Sequence, residues 1–169
     1  MTWTLCNNCG DALVGGPMAC QLCGRERKSM ISFVLPCVPT AQQRTRHAMR
    51  NGQPMAYKSA GQKANERTLD ALLMQYMPAA PLAGAISLEF RAVFPAPKSA
   101  GKSRRAAMLR GQQYHTHKPD LDNLAKQLKD AMTRLQYWYD DRQVVRLICQ
   151  KAYGETGRWE VCVREMGEA

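Results

Sequence analysis

Five acidic residues, Asp120, Asp122, Asp130, Asp140 and Asp141, stand between Lys118 and Asp141 of a 169-residue chain whose formal net charge is +10. Carboxylates crowded together repel and raise one another's pKa unless a cation stands between them. The chemistry they suit is a hard-cation site, most naturally for Mg²⁺, which takes one or two carboxylates together with phosphate oxygens and water. The plain alternative is a capped, solvated helix followed by an acidic turn. An isolated Asp-x-Asp would fit that alternative; the full spacing, with Lys126 and the Asp140–Asp141 pair, favours the cation.

The element that must carry these groups is legible in the same stretch. Leu121, Leu124, Leu128, Ala131, Leu135 and Trp138 recur at alternating steps of three and four, the buried stripe of an amphipathic helix. Pro119 suits helix entry, because it holds Lys118 extended and needs no N–H donor. Asp122, Lys126 and Asp130 then stack at i, i+4 and i+8 on the face opposite the leucines. Asp120 precedes this ladder at the positive end of the helix dipole. Asp140 and Asp141 arrive where the stripe runs out, ahead of a β-branched run expected to bring them back beside the helix start.

The segments K-P-D-L-D-N-L-A-K, D-A-M and W-Y-D-D-R-Q-V-V, with Lys151 downstream, closely resemble the RusA family of Holliday junction resolvases. The resemblance covers Met30 to Met166. It implies a small, phage-associated, Mg²⁺-dependent endonuclease acting as a homodimer on four-way DNA junctions in recombination and repair, with Mn²⁺ able to substitute. It also implies metal-binding roles for Asp120, Asp122 and Asp141, with Lys126 as the catalytic lysine near the scissile phosphate. On that reading Asp140 shares the metal or orients its water, and Asp130 holds Lys126 in place. One departure is Gln136, where family members often carry a glycine; a left-handed helix cap is cheaper for glycine than for glutamine.

Charge is segregated along the chain. Arg27 to Asn65 and Phe90 to Pro119 contain no acidic residue, and each holds seven Lys or Arg. Two cationic segments flanking an anionic centre suit a polyanion gripped around a metal site, although a pI near 9.5 also serves solubility. The candidate DNA contacts are Arg44, Arg46 and Arg50 in the first segment, and Lys98, Lys102, Arg104, Arg105, Arg110 and Lys118 in the second. His115-Thr116-His117 reads as a phosphate contact or a solvated pair rather than as metal ligands. Lys151 reads as a phosphate contact or an edge charge.

Cys6, Cys9, Cys20 and Cys23 form a C-x₂-C-x₁₀-C-x₂-C pattern, each pair followed by glycine. Four thiolates satisfy tetrahedral Zn²⁺ with no open position, the mark of a structural site. A reducing compartment disfavours disulfides here. Cys37, Cys149 and Cys162 lie in apolar runs and read as small hydrophobes.

Met30 to Pro36 reads as a first strand, Thr40 to Lys58 as a polar loop and Ser59 to Met77 as a helix capped by Ser59. The helix is expected to bury Ala64, Leu69, Leu72, Leu73 and Tyr76. Ala85 to Phe94 alternates as a strand, with Ile86, Leu88 and Phe90 facing one way. Pro95 to His117 reads as a basic loop, and Gln143–Ala152 with Arg158–Arg164 as a closing β-hairpin. The expected fold is α/β: a mixed sheet of about four or five strands with two main helices packed on it. A zinc-ribbon-like segment over residues 1–28 precedes the RusA-like domain of 29–169. No signal peptide or membrane span is visible, so a cytoplasmic protein without a membrane or small-molecule partner is expected. The rival readings are a zinc-containing DNA-binding or partner-recruiting protein that does not cut, and a metal-dependent nuclease acting on other branched DNA.

Overall fold

The computed structural model describes residues 4–5, 12–13, 30–42, 46–50 and 52–166. Cys6, Cys9, Cys20, Cys23 and Arg44 lie outside these residues. Among the described residues, strands β1 (Thr4–Leu5) and β2 (Ala12–Leu13) pair antiparallel, ahead of the main domain.

That domain is built on strands β3 (Met30–Leu35), β6 (Ile86–Pro95), β7 (Val144–Gly154) and β8 (Arg158–Glu165). Between β3 and β6 come the strands β4 (Arg46–Arg50) and β5 (Gln53–Tyr57) and the helix α1 (Ala60–Leu73). Between β6 and β7 come α2 (Lys102–Leu109) and α3 (Leu121–Arg134). The main sheet runs in the order β3-β8-β6-β7, with β7 parallel to β6 and the other pairs antiparallel.

This order corrects the expected closing hairpin. β7 and β8 are neighbours in sequence but do not pair; β8 inserts between β3 and β6. The burial patterns give the reason. Trp159, Val161 and Val163 of β8 are buried, as an interior strand requires, whereas Val145, Leu147 and Ile148 of β7 stay exposed at an edge. A parallel β6–β7 pair also demands a long crossover, and α2 and α3 supply it.

One face of the sheet carries the helices. Ile86, Leu88, Phe90 and Ala92 meet Leu69 and Leu73 of α1 and Leu124, Leu128 and Ala131 of α3 in a single core. Ser59 caps α1 as expected, accepting from the Gln62 amide at 3.2 Å. Ala64, expected in the core, is exposed, and Gln62 is buried instead. Arg134 ties α3 to Asp70 of α1 at 2.6 Å. The opposite face, uncovered among the described residues, is a shallow groove of about 550 Å³ lined by alternate residues such as Val34, Glu89, Ile148 and Cys162.

Both long basic loops contain structure. Thr40 to Lys58 holds the β4–β5 hairpin, so Arg46 and Arg50 lie on a strand. The Asn51-Gly52 dipeptide is its turn signal, and Gly52 takes a φ of 74°. Pro95 to His117 holds α2, which exists because Met108 has a pocket to fill against Ala96 and Tyr153. No helix among the described residues is long and apolar enough to cross a membrane.

Candidate active site

The stripe read from the sequence sits where it was expected, with Leu124, Leu128 and Ala131 fully buried. The helix stops earlier than the stripe. Gln136 takes a φ of 60°; its amide donates to Thr133 O and the Tyr137 amide to Met132 O, both at 3.0 Å. These are the two bonds of a Schellman cap. Trp138 therefore reaches the core from beyond the helix, through a bridge to Leu82, and its indole donates to Thr133 Oγ1 at 2.7 Å.

Asp120 is the N-cap residue of α3, yet its carboxylate makes no capping bond. Asp122 lies in the first turn, and Lys126 follows one turn later; all three are exposed. Among the described residues none of these three side chains has a hydrogen-bond or ion-pair partner. The helix dipole favours negative charge at this end, and the two carboxylates are free to take a cation.

The segment that delivers Asp120 is pinned from β7. Lys151 donates its ammonium to His117 O at 2.7 Å and to Pro119 O at 2.9 Å. The Lys118–Pro119 peptide between them is cis. His115 is buried, stacked on Phe94 with ring centroids 4.2 Å apart and tilted against Tyr153 at 4.8 Å. It is thus neither solvated nor a phosphate contact. Burial, and after it the Lys151 ammonium, pushes the His115 pKa below its ordinary value.

The far end of the motif departs from expectation. Asp140 and Asp141 lie beside the end of α3, not its start. Asp141 pairs with Lys129 at 3.4 Å, seven residues past Asp122, or about 10 Å along the helix axis. The crossover explains this. β7 runs parallel to β6, so α3 begins near the strands' C-terminal end and returns to their N-terminal end, where Asp141 precedes Val144. Asp140 is occupied as a cap: its side chain accepts from the Arg142 amide at 2.9 Å, while Gln143 Oε1 accepts from the Asp140 amide at 3.0 Å. Asp130 accepts from Gln42 at 3.0 Å rather than holding Lys126.

Among the described residues, no three His, Cys, Asp or Glu side chains stand together as a preformed metal cage. The donor chemistry at the start of α3 still fits a hard divalent cation. Mg²⁺ is commonly held by one or two carboxylates, with substrate phosphates and water completing its shell, and Asp120 and Asp122 present that pair.

The chain matches the family described as endodeoxyribonuclease RusA over residues 36–164. It is 33% identical over 139 residues to the crossover junction endodeoxyribonuclease rusA of Lactococcus phage r1t, covering 82% of this chain and 99% of that one. It is also 35% identical over 138 residues to the uncharacterized protein YqaN of Bacillus subtilis, covering 80% of this chain and 96% of that one.

The chain belongs to the RusA family of endodeoxyribonucleases. It is therefore a nuclease, a hydrolase of the DNA backbone, and RusA-type nucleases generally depend on a divalent metal. In this RusA-family fold the candidate DNA contacts divide by environment. Lys98, Lys102, Arg104 and Lys118 are exposed, and no side-chain partner holds them among the described residues. Arg105 is ion-paired to Glu155, and Arg110 donates to Gln112 at 3.2 Å. Two residues escaped the sequence reading. Lys129 could have been found from its i+7 spacing to Asp122, and Gln143 from the Asp140-x-x-Gln143 capping-box pattern. Cys37 and Cys149 fit their expected place as packing residues, since both pack against the core and burial raises both thiols.

Proposed function

We propose that this protein resolves four-way (Holliday) DNA junctions by Mg²⁺-dependent phosphodiester hydrolysis, with the cation held at the start of α3. The observation that carries this reading is the exposed, unpartnered carboxylate pair Asp120 and Asp122 at the positive end of the helix dipole, with Lys126 one turn on. The name of the phage r1t relative supports the four-way junction as substrate.

In this reading Asp120 and Asp122 hold the cation, which when bound lowers the pKa of a water and polarises the phosphate. Lys126 offsets the negative charge that develops on the phosphate or the leaving oxygen. Lys98, Lys102, Arg104 and Lys118 on the segment leading into Asp120 neutralise backbone phosphates, and Arg44, Arg46 and Arg50 supply further phosphate contacts. Asp141 is kept from Asp120 and Asp122 within one chain by its place beside Lys129. A two-fold homodimer resolves this conflict, each copy's Asp141 completing the other's site, and sets two sites against two symmetry-related strands.

Cys6, Cys9, Cys20 and Cys23 hold one structural Zn²⁺ in residues 1–28, separate from the endonuclease domain of 29–169, in a cytoplasmic protein. Soft thiolates suit zinc and hard carboxylates suit Mg²⁺, so the two ions keep to their own sites. Near-stoichiometric zinc after purification under reducing conditions is expected; protein purified without it contradicts the knuckle.

The test of the function is cleavage of a mobile four-way junction with Mg²⁺, beside a linear duplex of the same sequence. Strong preference for the junction is expected, and equal cutting of the duplex contradicts the substrate. Mixing Asp122→Asn with Asp141→Asn protein tests the dimer. Shared sites leave one intact site per mixed dimer and restore nicking, whereas sites confined to one chain leave none.

A further inference from the structure

Lys151 lies 31 residues past Asp120 in sequence and on the helix-bearing face of β7, in register with Ala92. Its reading from the sequence was a phosphate contact or an edge charge. The structure gives it other work. Its ammonium has three donors, and two of them go to the carbonyls of His117 and Pro119, at 2.7 and 2.9 Å. These carbonyls lie three residues and one residue before Asp120. Two residues further along the same strand, Tyr153 meets the His115 ring, which also stacks on Phe94. The segment 115–119 is thus held at both ends by one strand face, and Asp120 is the first residue after the second hold.

We propose that Lys151 is a positioning residue for the cation site: by holding the His117 and Pro119 carbonyls, it sets where the backbone delivers the Asp120 carboxylate at the start of α3. The geometry favours this over a phosphate contact, because two of the three ammonium donors are already spent on backbone oxygens. The inference rests on the reading that Asp120 holds the cation, and it concerns Lys151 only through that backbone.

The experiment compares Lys151→Met, Lys151→Arg and Asp120→Asn with the wild-type full chain. Three quantities are measured: the Mg²⁺ concentration that half-saturates junction cutting, junction affinity in EDTA, and amide hydrogen exchange in metal-free protein. For Lys151→Met the half-saturating Mg²⁺ concentration is expected to rise about tenfold, as it does when a site loses about 1.4 kcal/mol of affinity. Exchange should quicken at residues 117–123 but not in the strands, and affinity in EDTA should change less than threefold. Lys151→Arg, which keeps the charge and the donors, should recover most of the Mg²⁺ dependence. A fall in EDTA affinity with unchanged Mg²⁺ dependence makes Lys151 a phosphate contact and overturns the proposal. Faster exchange throughout the sheet makes it a general structural residue and does the same, as does wild-type behaviour in every measurement. Asp120→Asn cutting with wild-type Mg²⁺ dependence overturns the metal reading itself, whatever Lys151→Met does.

Discussion

Replacing Gln136 with glycine should stabilise the protein. Gln136 follows α3 in the left-handed region, with a φ of 60°, and its backbone makes the cap that lets the chain turn toward Tyr137 and Trp138. An L residue costs about 1–2 kcal/mol in that conformation. Glycine escapes this cost but gives back about 0.5–1 kcal/mol through its greater freedom in the unfolded chain. The side chain offers little to lose: it is exposed, and its one contact, to Thr133 O, spans 3.5 Å, beyond good hydrogen-bond range. The net gain is about 0.5–1 kcal/mol, or roughly 1–4 °C in melting temperature for a domain of this size. Gln136→Val, β-branched and intolerant of positive φ, should lose stability by a similar amount. Urea unfolding at fixed protein concentration measures both through the midpoint, with unchanged slope as the control for a pure stability effect. Junction cutting should not change, since glycine keeps the left-handed turn that carries the chain on toward Asp141. A Gln136→Gly midpoint at or below the wild-type value would refute the argument, because the left-handed backbone would then carry no strain for glycine to relieve.

Other expectations follow from individual contacts. Arg104→Ala should reduce the log–log salt slope of junction binding by about 0.9, the value of one phosphate contact. Arg105→Ala should change it by less than half as much, because Glu155 already pairs with that guanidinium; equal effects would show that the ion pair opens on DNA. His115 is pushed to a lower pKa in the folded protein, mainly by burial, so the unfolded chain binds the proton more readily. Stability should then fall as pH drops below about 6.5, the ordinary histidine value, and His115→Phe should flatten that slope in thermal melts; an unchanged slope would place its origin elsewhere. The Lys129–Asp141 pair is partly exposed and worth about 0.2–1 kcal/mol. If it competes with the cation for Asp141, Lys129→Met should lower the half-saturating Mg²⁺ concentration by at most about fivefold, and an unchanged or higher value would show no competition.

The core of the fold was legible because it obeys local periodicity. The α3 stripe, the Ser59 cap and the alternation of β6 all reflect side chains answering to one buried face. What escaped the sequence depended on long-range choices. Nothing in β7 or β8 alone says that β8 slots between β3 and β6, since two adjacent strands around Gly154 and Gly157 read equally well as a hairpin. That topological choice also decides where Asp141 falls, which is why its place beside Lys129 was unreadable, while the exposed positions of Asp120, Asp122 and Lys126 at the start of α3 followed from spacing. α2 was hidden by its arginines: with no acidic residue and a single fully buried side chain, Met108, it looks like a basic loop until Tyr153 and Ala96 are brought to meet it. The β4–β5 hairpin was different, because Asn51-Gly52 was a usable signal. The paired state of Arg105, and the hold of Lys151 on two backbone carbonyls, belong to contacts between segments 32 or more residues apart, which no local pattern encodes.

The proposed function stands on a cation site at the start of α3 that cuts junction DNA. Asp122→Asn tests it most directly, measured on a mobile four-way junction for binding in EDTA and for cutting in Mg²⁺. Removing one anion from a phosphate-binding surface should leave binding as strong as wild type or stronger, while cutting falls by at least about a hundredfold, the scale of losing electrostatic stabilisation at a reacting centre. Asp122→Asn protein that binds and cuts the junction at the wild-type rate would contradict it.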